Sequence, residues 1–478
     1  MPAKRLHKTP ILILIVGILV FGSSVIFKQN LQPSKIQLKS LEISKQSSSK
    51  QFKKEDLLNQ IQSENLDYKQ EMQNGINYFQ KQEFRLAISH FVKANKLNKT
   101  ESLPYVLSAE AYLNLDKPEL AEKNLYAASF KSNYGLYGKL IEAQYYIYSR
   151  ENAKAIASLN FLSPQYADVQ FLQAIFYLNT HQIEQAKLVF ENLSRNQINN
   201  PYYYLANVFL ENHELYLTFR DSPVGFLQVL FAKQLLNSNQ IVSARALTYT
   251  ALKENNLFRD AWLTLGYSFL KAKENLKAFQ TLEKTRKLDP YHSQTHLYLG
   301  ITHFKINNFN SAIHHLKLSL NYETKDPNLA QEFLGHSYFA SQNFENANDI
   351  YKNLINNQYI NPYVLANLCQ IYLKESDFKQ ATSLLQLFKD KFGFHDLYSY
   401  NLAHLYLLTK NFPKSIQYLE NTLKINPISA EAYFLLAQNH KLLNNPNSYK
   451  SNLSKALALA SANKDMKLYQ KIINEIQE

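Results

Sequence analysis

Three histidines offer the first candidate chemistry. His292, His296 and His303 stand four and eleven residues apart, which places them within about 40° of one another on a helix turning ~100° per residue. Imidazoles grouped in this way could hold a transition metal. His314 and His315 are adjacent, point apart and are expected in solvent. Cys369 is the only cysteine, so a disulfide framework and a multi-cysteine metal site are both excluded. Asn98, Asn192 and Asn452 open N-x-S/T triplets, which chance supplies in so asparagine-rich a chain. G-x-x-x-x-G-K-[ST], H-E-x-x-H and G-x-S-x-G are absent. The chain is therefore expected to be no enzyme, with no catalytic residues, no cofactor and no metal.

The elements that would position these groups are written as a repeat. A small residue recurs at Gly75, Ala109, Ala143, Ala174, Ala206, Ala232, Gly266, Gly300, Gly335, Cys369, Ala403 and Ala437, mostly 34 residues apart. Three residues later comes a bulky group, usually aromatic, as at Tyr78, Tyr112, Phe269, Tyr338 and Tyr372. Twelve residues after the first small position a second follows, from Ala87 and Ala121 to Ala381 and Ser415, with a large apolar residue four further on. Spacings of three and four mark one helix face. Two such stripes, broken by polar pairs such as Asn307-Asn308, make an antiparallel helix pair whose small residues permit close approach. One pair cannot bury its face alone and needs neighbours. In this register His296 and His303 take the places of Trp262 and Phe269 one unit earlier, so they read as substituted core aromatics. Cys369 likewise sits in the small-residue column and reads as a buried structural thiol.

The unit Trp262, Leu265, Gly266, Phe269, Ala278, Leu282, Pro290 resembles the tetratricopeptide repeat (TPR), with Phe for Tyr and Leu for Phe. The resemblance covers about residues 64–463 in roughly twelve units and implies an all-α, right-handed superhelical solenoid. It also implies that the first helix of each pair lines a concave groove into which the ninth position points. Those positions are Ile76, Glu110, Gln144, Ile175, Asn207 and Lys233, then Tyr267, Ile301, His336, Gln370, His404 and Gln438, with Tyr137, Tyr203, Tyr363 and Tyr400 beside them. Mixed amide, aromatic and charged groups suit an extended peptide of a protein partner. The register falters once. Ala206 to Ala232 is only 26 residues, Thr218 replaces a small residue, and Asp221-Ser222-Pro223-Val224-Gly225 interrupts. The expected layout is an N-terminal array over 64–213, an irregular break and kink at 214–225, a C-terminal array over 226–463 and a capping helix at 464–478.

Residues 11–27, ILILIVGILVFGSSVIF, carry no charge and as a helix rise about 25 Å, the short end of a membrane span. They read as an uncleaved signal-anchor after a basic tail at 1–10. The alternative is a cleaved signal peptide with a weak site near Gly22 and Ser23. Residues 28–63, rich in Lys, Ser and Gln, read as a flexible stalk reaching roughly 30 Å. Three basic residues precede the span and four follow it, so charge alone leaves orientation open. The basic tail is expected to stay in the cytoplasm, with the repeats on the periplasmic side of a bacterial inner membrane. Residues 1–54 hold ten Lys/Arg against one acid, +9 of the total +13, which leaves +4 for the rest and no broad nucleic-acid surface. Together these features predict a single-pass, membrane-anchored scaffold or adaptor in cell-envelope, secretion or pilus-type assembly. The competing expectation is a non-catalytic accessory subunit of a separate glycan synthase or peptidase.

Overall fold

A computed structural model describes residues 65–195, 200–218, 225–462 and 465–477. The apolar span 11–27 and the stalk 28–63 lie outside the described residues. Among the described residues no helix is long and apolar enough to cross a membrane. The chain divides into two compact units, one ending at Pro290 and one beginning at Tyr291.

The first unit contains the pairs α1 (Leu66–Gln80) and α2 (Phe84–Leu97), α3 (Leu103–Asn114) and α4 (Pro118–Ser129), α5 (Gly135–Ser149) and α6 (Asn152–Asn160), and α7 (Ala167–Asn179) and α8 (Ile183–Leu193). A single helix follows, α9 (Tyr203–Thr218), then the pairs α10 (Phe226–Asn237) and α11 (Ile241–Glu254), and α12 (Arg259–Lys271) and α13 (Asn275–Leu288). The second unit contains α14 (Ser293–Lys305) and α15 (Phe309–Asn321), α16 (Pro327–Ala340) and α17 (Phe344–Asn356), and α18 (Pro362–Lys374) and α19 (Phe378–Phe392). It continues with α20 (Asp396–Leu408) and α21 (Phe412–Ile425), α22 (Ala430–Leu442) and α23 (Pro446–Ala462), and the terminal α24 (Met466–Gln477).

The columns read from the sequence explain the pairing. Ala109, Ala143 and Ala403 on first helices and Ala121, Ala278 and Ser415 on second helices are all fully buried. A Cβ added at Gly266 would lie 2.6 Å from Leu282 Cδ2, and one at Gly300 would lie 2.5 Å from Leu316 Cγ. The first small column therefore faces the large apolar column of its own pair, where a methyl has no room. Between the two helices of every pair the turn is two or three residues long, and one of them, from Gln82 and Asp116 to Lys410 and Asn444, has φ between 54° and 66°. None of these is glycine, which is how so many tight turns coexist with ten glycines. Each turn closes with a backbone bond back to the aromatic column: Lys117 N–H donates to Tyr112 O at 2.9 Å, Glu274 to Phe269 at 2.9 Å and Asn411 to Tyr406 at 2.8 Å. This is the Schellman pattern at a helix C-terminus.

One expectation about the break needs correction. Residues 214–218, read as irregular, continue α9 to Thr218. They spell E-L-Y-L-T, a composition a helix readily accepts. The division into compact units falls between Pro290 and Tyr291. Only residues 219–225 separate α9 from α10, so α9 has no second helix of ordinary length. One unpaired helix shifts the alternation of first and second helices by one, and the consequence is visible in the first unit. There α11, the second helix of its pair, packs on α3, α5 and α7, which are all first helices. From Ile241 to Leu252 every residue of α11 but Tyr249 is buried, and α7 is buried at every residue from Ala167 to Leu178. Helices buried on all sides are interior elements. In the second unit helices meet their near neighbours along the array, as in a quasi-one-dimensional stack. The final helix α24 buries Ile472 against Phe434 and Leu453 and leaves Met466 and Ile476 exposed.

Candidate protein-binding surfaces

The histidines are packing groups. His296 and His303 are buried on α14. His315, expected in solvent, is half-buried on α15, with its ring 5.3 Å from that of His303 and nearly parallel to it. It stands three residues after Ala312, on the helix face turned to α14, so it could not point away. His296 Nδ1 lies 2.9 Å from His315 Nδ1, while His292 turns to Thr295 Oγ1 at 2.9 Å. Among the described residues no set of three His, Cys, Asp or Glu side chains is placed to hold a metal ion. Cys369 is buried, and burial pushes its thiol up to about 12.

Of the sixteen positions expected in or beside a groove, Ile76, Ile175 and Ile301 are buried, and the rest separate by unit. In the first unit Tyr137 is buried and its hydroxyl donates to Glu110 Oε2 at 2.7 Å. Gln144, Tyr203 and Asn207 are half-buried, and Asn207 Nδ2 donates to Tyr203 O at 2.8 Å. Lys233 reaches Asp260 at 3.1 Å, and the lysine with Arg259 holds that carboxyl below its usual range despite burial. Tyr267 packs against the core of its unit. In the second unit His336 is buried, with Nδ1 2.8 Å from Tyr351 Oη and Nε2 3.3 Å from Glu332. Asn367 donates to the same Tyr351 oxygen at 3.1 Å and Tyr359 donates to Glu332 at 2.7 Å. This polar cluster ties α16 and α17 to α18.

Five positions remain, all in the second unit. Tyr363 is 61% exposed on α18. Gln370 on the same helix, Tyr400 and His404 on α20, and Gln438 on α22 are half-buried. The rings of Tyr400 and His404 lie 6.5 Å apart. Desolvation first, and then the charge of Lys471 on α24, lower the His404 pKa to about 4. His404 is therefore neutral at pH 7, and this row of side chains is uncharged.

A second surface was invisible to the repeat reading. In each pair, the end of the first helix, the turn and the start of the second helix form one edge. In the first unit this edge is covered by the chain itself. Arg245 on α11 is fully buried, and its Nη1 donates to Asn114 O at 2.7 Å, while Nε and Nη2 donate to Ser268 Oγ at 2.9 Å and Ser268 O at 3.0 Å. Its guanidinium lies 4.5 Å from the Phe269 ring centre. Asp116, in the turn after α3, accepts from the hydroxyls of Tyr148 and Tyr249 and from Lys277 Nζ at 2.7 Å. Thr250 Oγ1 donates to Asn179 at the end of α7 at 2.9 Å. Further out, Arg85 makes a forked pair with Glu274, closest at 2.7 Å, and Lys273 pairs with Glu83. One sequence signal foretold this cover: IVSARALTYTAL, residues 241–252, carries a single charge and no polar face.

Lysines from second helices also lie over the aromatic column, as with Lys277 over Phe269 at 5.5 Å, Lys352 over Tyr372 at 5.6 Å and Lys414 over Tyr406 at 5.2 Å. Each contact is worth about 0.5–1 kcal/mol at such exposed sites.

The turns, the paired helices and the buried small columns decide the architecture. It is an all-α array of TPR-like helix pairs. No protein-family model matches the chain. It is 24% identical over 244 residues to the anaphase-promoting complex subunit CDC16 of Saccharomyces cerevisiae; the match covers 49% of this chain and 29% of CDC16, so the chain spans less than a third of that relative. Among solved structures it is similar to the APC/C hetero-tetramer Cut9–Hcn1, with 15% identity, TM-score 0.39, and 85% of this chain and 96% of that one covered. It is similar also to a tetratricopeptide repeat protein from Parabacteroides merdae, with 11% identity, TM-score 0.42, and coverage of 52% and 97%. A third is PilW, a type IV pilus biogenesis factor, with 14% identity, TM-score 0.28, and coverage of 53% and 99%.

Proposed function

We propose that this chain is a membrane-tethered scaffold that captures an extended segment of a partner protein on the first helices of its second unit. The observation that carries this reading is the contrast between buried packing columns and a neutral row in which Tyr363 is exposed and Gln370, Tyr400, His404 and Gln438 are half-buried. Amide side chains there can pair with a peptide backbone and the rings can cover its side chains. The first unit, with its interior filled, serves as a rigid base. The uncharged segment 11–27 supplies the tether and 28–63 the reach, with the repeats on the periplasmic side of an inner membrane in a cell-envelope assembly.

Two experiments test the two halves. A photo-crosslinker at Gln370 or Gln438 of the full chain is expected to give protein adducts, and one at Lys379 on α19 is not. Equal labelling at all three positions would remove the groove from the reading. Carbonate-washed membranes are expected to retain the full chain and to release a variant lacking residues 1–27; a full chain found in the wash would remove the tether.

A further inference from the structure

We propose that the turn edge of the last two pairs of the second unit, at the junctions of α20 with α21 and of α22 with α23, docks an acidic amphipathic helix of a partner protein. This surface is separate from the neutral row on the first helices, and the inference goes beyond that reading. Leu408 is 41% exposed, Leu442 58% and Leu443 44%, and the first two hold the same place in successive pairs. Around them stand Lys410, Lys414 and Lys441, and residues 405–417 and 436–448 contain no Asp or Glu. Lys441 meets Glu475 of α24 at 3.0 Å, a carboxylate brought from outside both segments.

The first unit supplies the precedent for the occupant's shape. There the corresponding edge carries a helix, α11: Arg245 and Tyr249 bond to Asn114 and Asp116 at the end of α3, the Tyr249 ring meets Tyr148 near the end of α5, and Thr250 bonds to Asn179 at the end of α7. The 14 residues of α11 rise about 21 Å, enough to cross first helices set 8–10 Å apart. The charge differs between the two edges: the first-unit edge is mixed, with Arg85 meeting Glu274 of the cover as well as two acids that meet lysines. In the first unit the turns present Glu83 and Asp116, and the covering elements bring Lys273 and Lys277. In the last two pairs of the second unit Lys410 stands in one turn, Lys414 and Lys441 stand on the helices beside the turns, and neither segment carries an acid of its own, so the complementary helix is acidic. The backbone does not oppose this. Each turn edge joins the C-terminus of one helix to the N-terminus of the next, so their end charges offset and the side chains set the field.

The test uses the full chain in nanodiscs and three fluorescent amphipathic model helices that share a leucine face and carry Glu, Gln or Lys opposite it. The Glu helix is expected to bind at least about tenfold more tightly than the Gln helix and to weaken as salt rises. Leu442→Glu with Leu443→Glu, and separately Lys410→Glu, are each expected to weaken it by about tenfold or more, with far-UV circular dichroism unchanged. Gln370→Ala is expected to leave it unaltered. Equal binding of the Glu and Lys helices overturns the proposal. So does loss of binding in Gln370→Ala but not in the edge variants, which would assign the peptide to the neutral row. If the leucine variants change only the sedimentation of the chain itself, the edge joins two copies and the proposal fails.

Discussion

The same repeat is used in two ways in this molecule. In the first unit single contacts reach across 131 to 190 residues, from Arg245 to Asn114 and from Lys273 to Glu83. In the second unit the bonds that tie pairs together, such as Asn367 to Tyr351 and Asn439 Nδ2 to Ser415 Oγ, span 16 and 24 residues. The difference begins with one unpaired helix. Only seven residues lie between α9 and α10, too few for a second helix of ordinary length, and the pairs that follow lay second-helix residues across the turn edge of earlier ones. An unbroken run of pairs keeps that edge open. Closure yields a base with an interior; an open run yields surface on which partners can be held.

The sharpest way to break this comparison is to remove the buried guanidinium. Arg245→Met takes away three hydrogen bonds and leaves Asn114 O and Ser268 O without their charged donor, at a cost of roughly 3–5 kcal/mol. Because α11 touches three first helices, amide exchange is expected to rise together in α3, α5, α7 and α11. By contrast, Gly300→Ala in the open stack overpacks the Leu316 contact at roughly 1–3 kcal/mol and is expected to raise exchange only in α14 to α16. If Arg245→Met loosened α11 alone, the first unit would be no more cooperative than the second.

Acid provides the next test, because His404 belongs to the open unit alone. Its folded pKa is about 4, below the ordinary value near 6.5. Between these two values the unfolded chain binds the extra proton. The stability His404 contributes is therefore complete above pH 6.5 and is lost as pH falls toward 4, up to roughly 2–3 kcal/mol. His404→Gln is expected to flatten that part of the urea midpoint against pH for the second unit. A profile unchanged by the substitution would mean the imidazole is solvated.

How much of this was legible follows from what repeats. The columns that fix the pairs recur every 34 residues, so each unit confirmed the others, and Gly266, Ala278 and Leu282 stand where the pattern placed them. The groove row depended on register: Tyr363 is exposed, Gln370, Tyr400, His404 and Gln438 are half-buried, and Tyr137 and His336 are drawn into polar contacts. The cover on the first unit is made of unrepeated residues: Arg245, Asp116 and Lys277 each occur once in their roles, and no period announces them. Residues 241–252 did carry a signal, since a second helix without a polar face has no outward side.

The smaller electrostatic staples can sharpen the picture further. Arg85 is 65% exposed while its partner Glu274 is 8% exposed. An exposed pair with forked geometry is worth roughly 0.5–1 kcal/mol and is weakened by salt. Arg85→Ala is expected to lower the urea midpoint of the first unit by that amount at low salt and by less near 1 M NaCl. A loss undiminished by salt would show that the arginine acts by packing its stem.

The last test concerns the turns both units share. Lys410 holds φ at 61° in the three-residue link between α20 and α21. A side chain in this region costs roughly 1–2 kcal/mol, whereas glycine enters it freely. Glycine also has more freedom to lose on folding, which offsets part of the gain. Lys410→Gly is therefore expected to stabilise the second unit by roughly 0.5–1 kcal/mol, read as a higher urea midpoint with unchanged slope. The same change at Asp116 removes the acceptor for Tyr148, Tyr249 and Lys277 and is expected to destabilise the first unit instead. Opposite signs from one backbone position would mean that the turn is only a turn in the open unit and has become part of an interior in the closed one. Equal signs would mean that the cover rests on α11 and its packing, with the Asp116 contacts incidental.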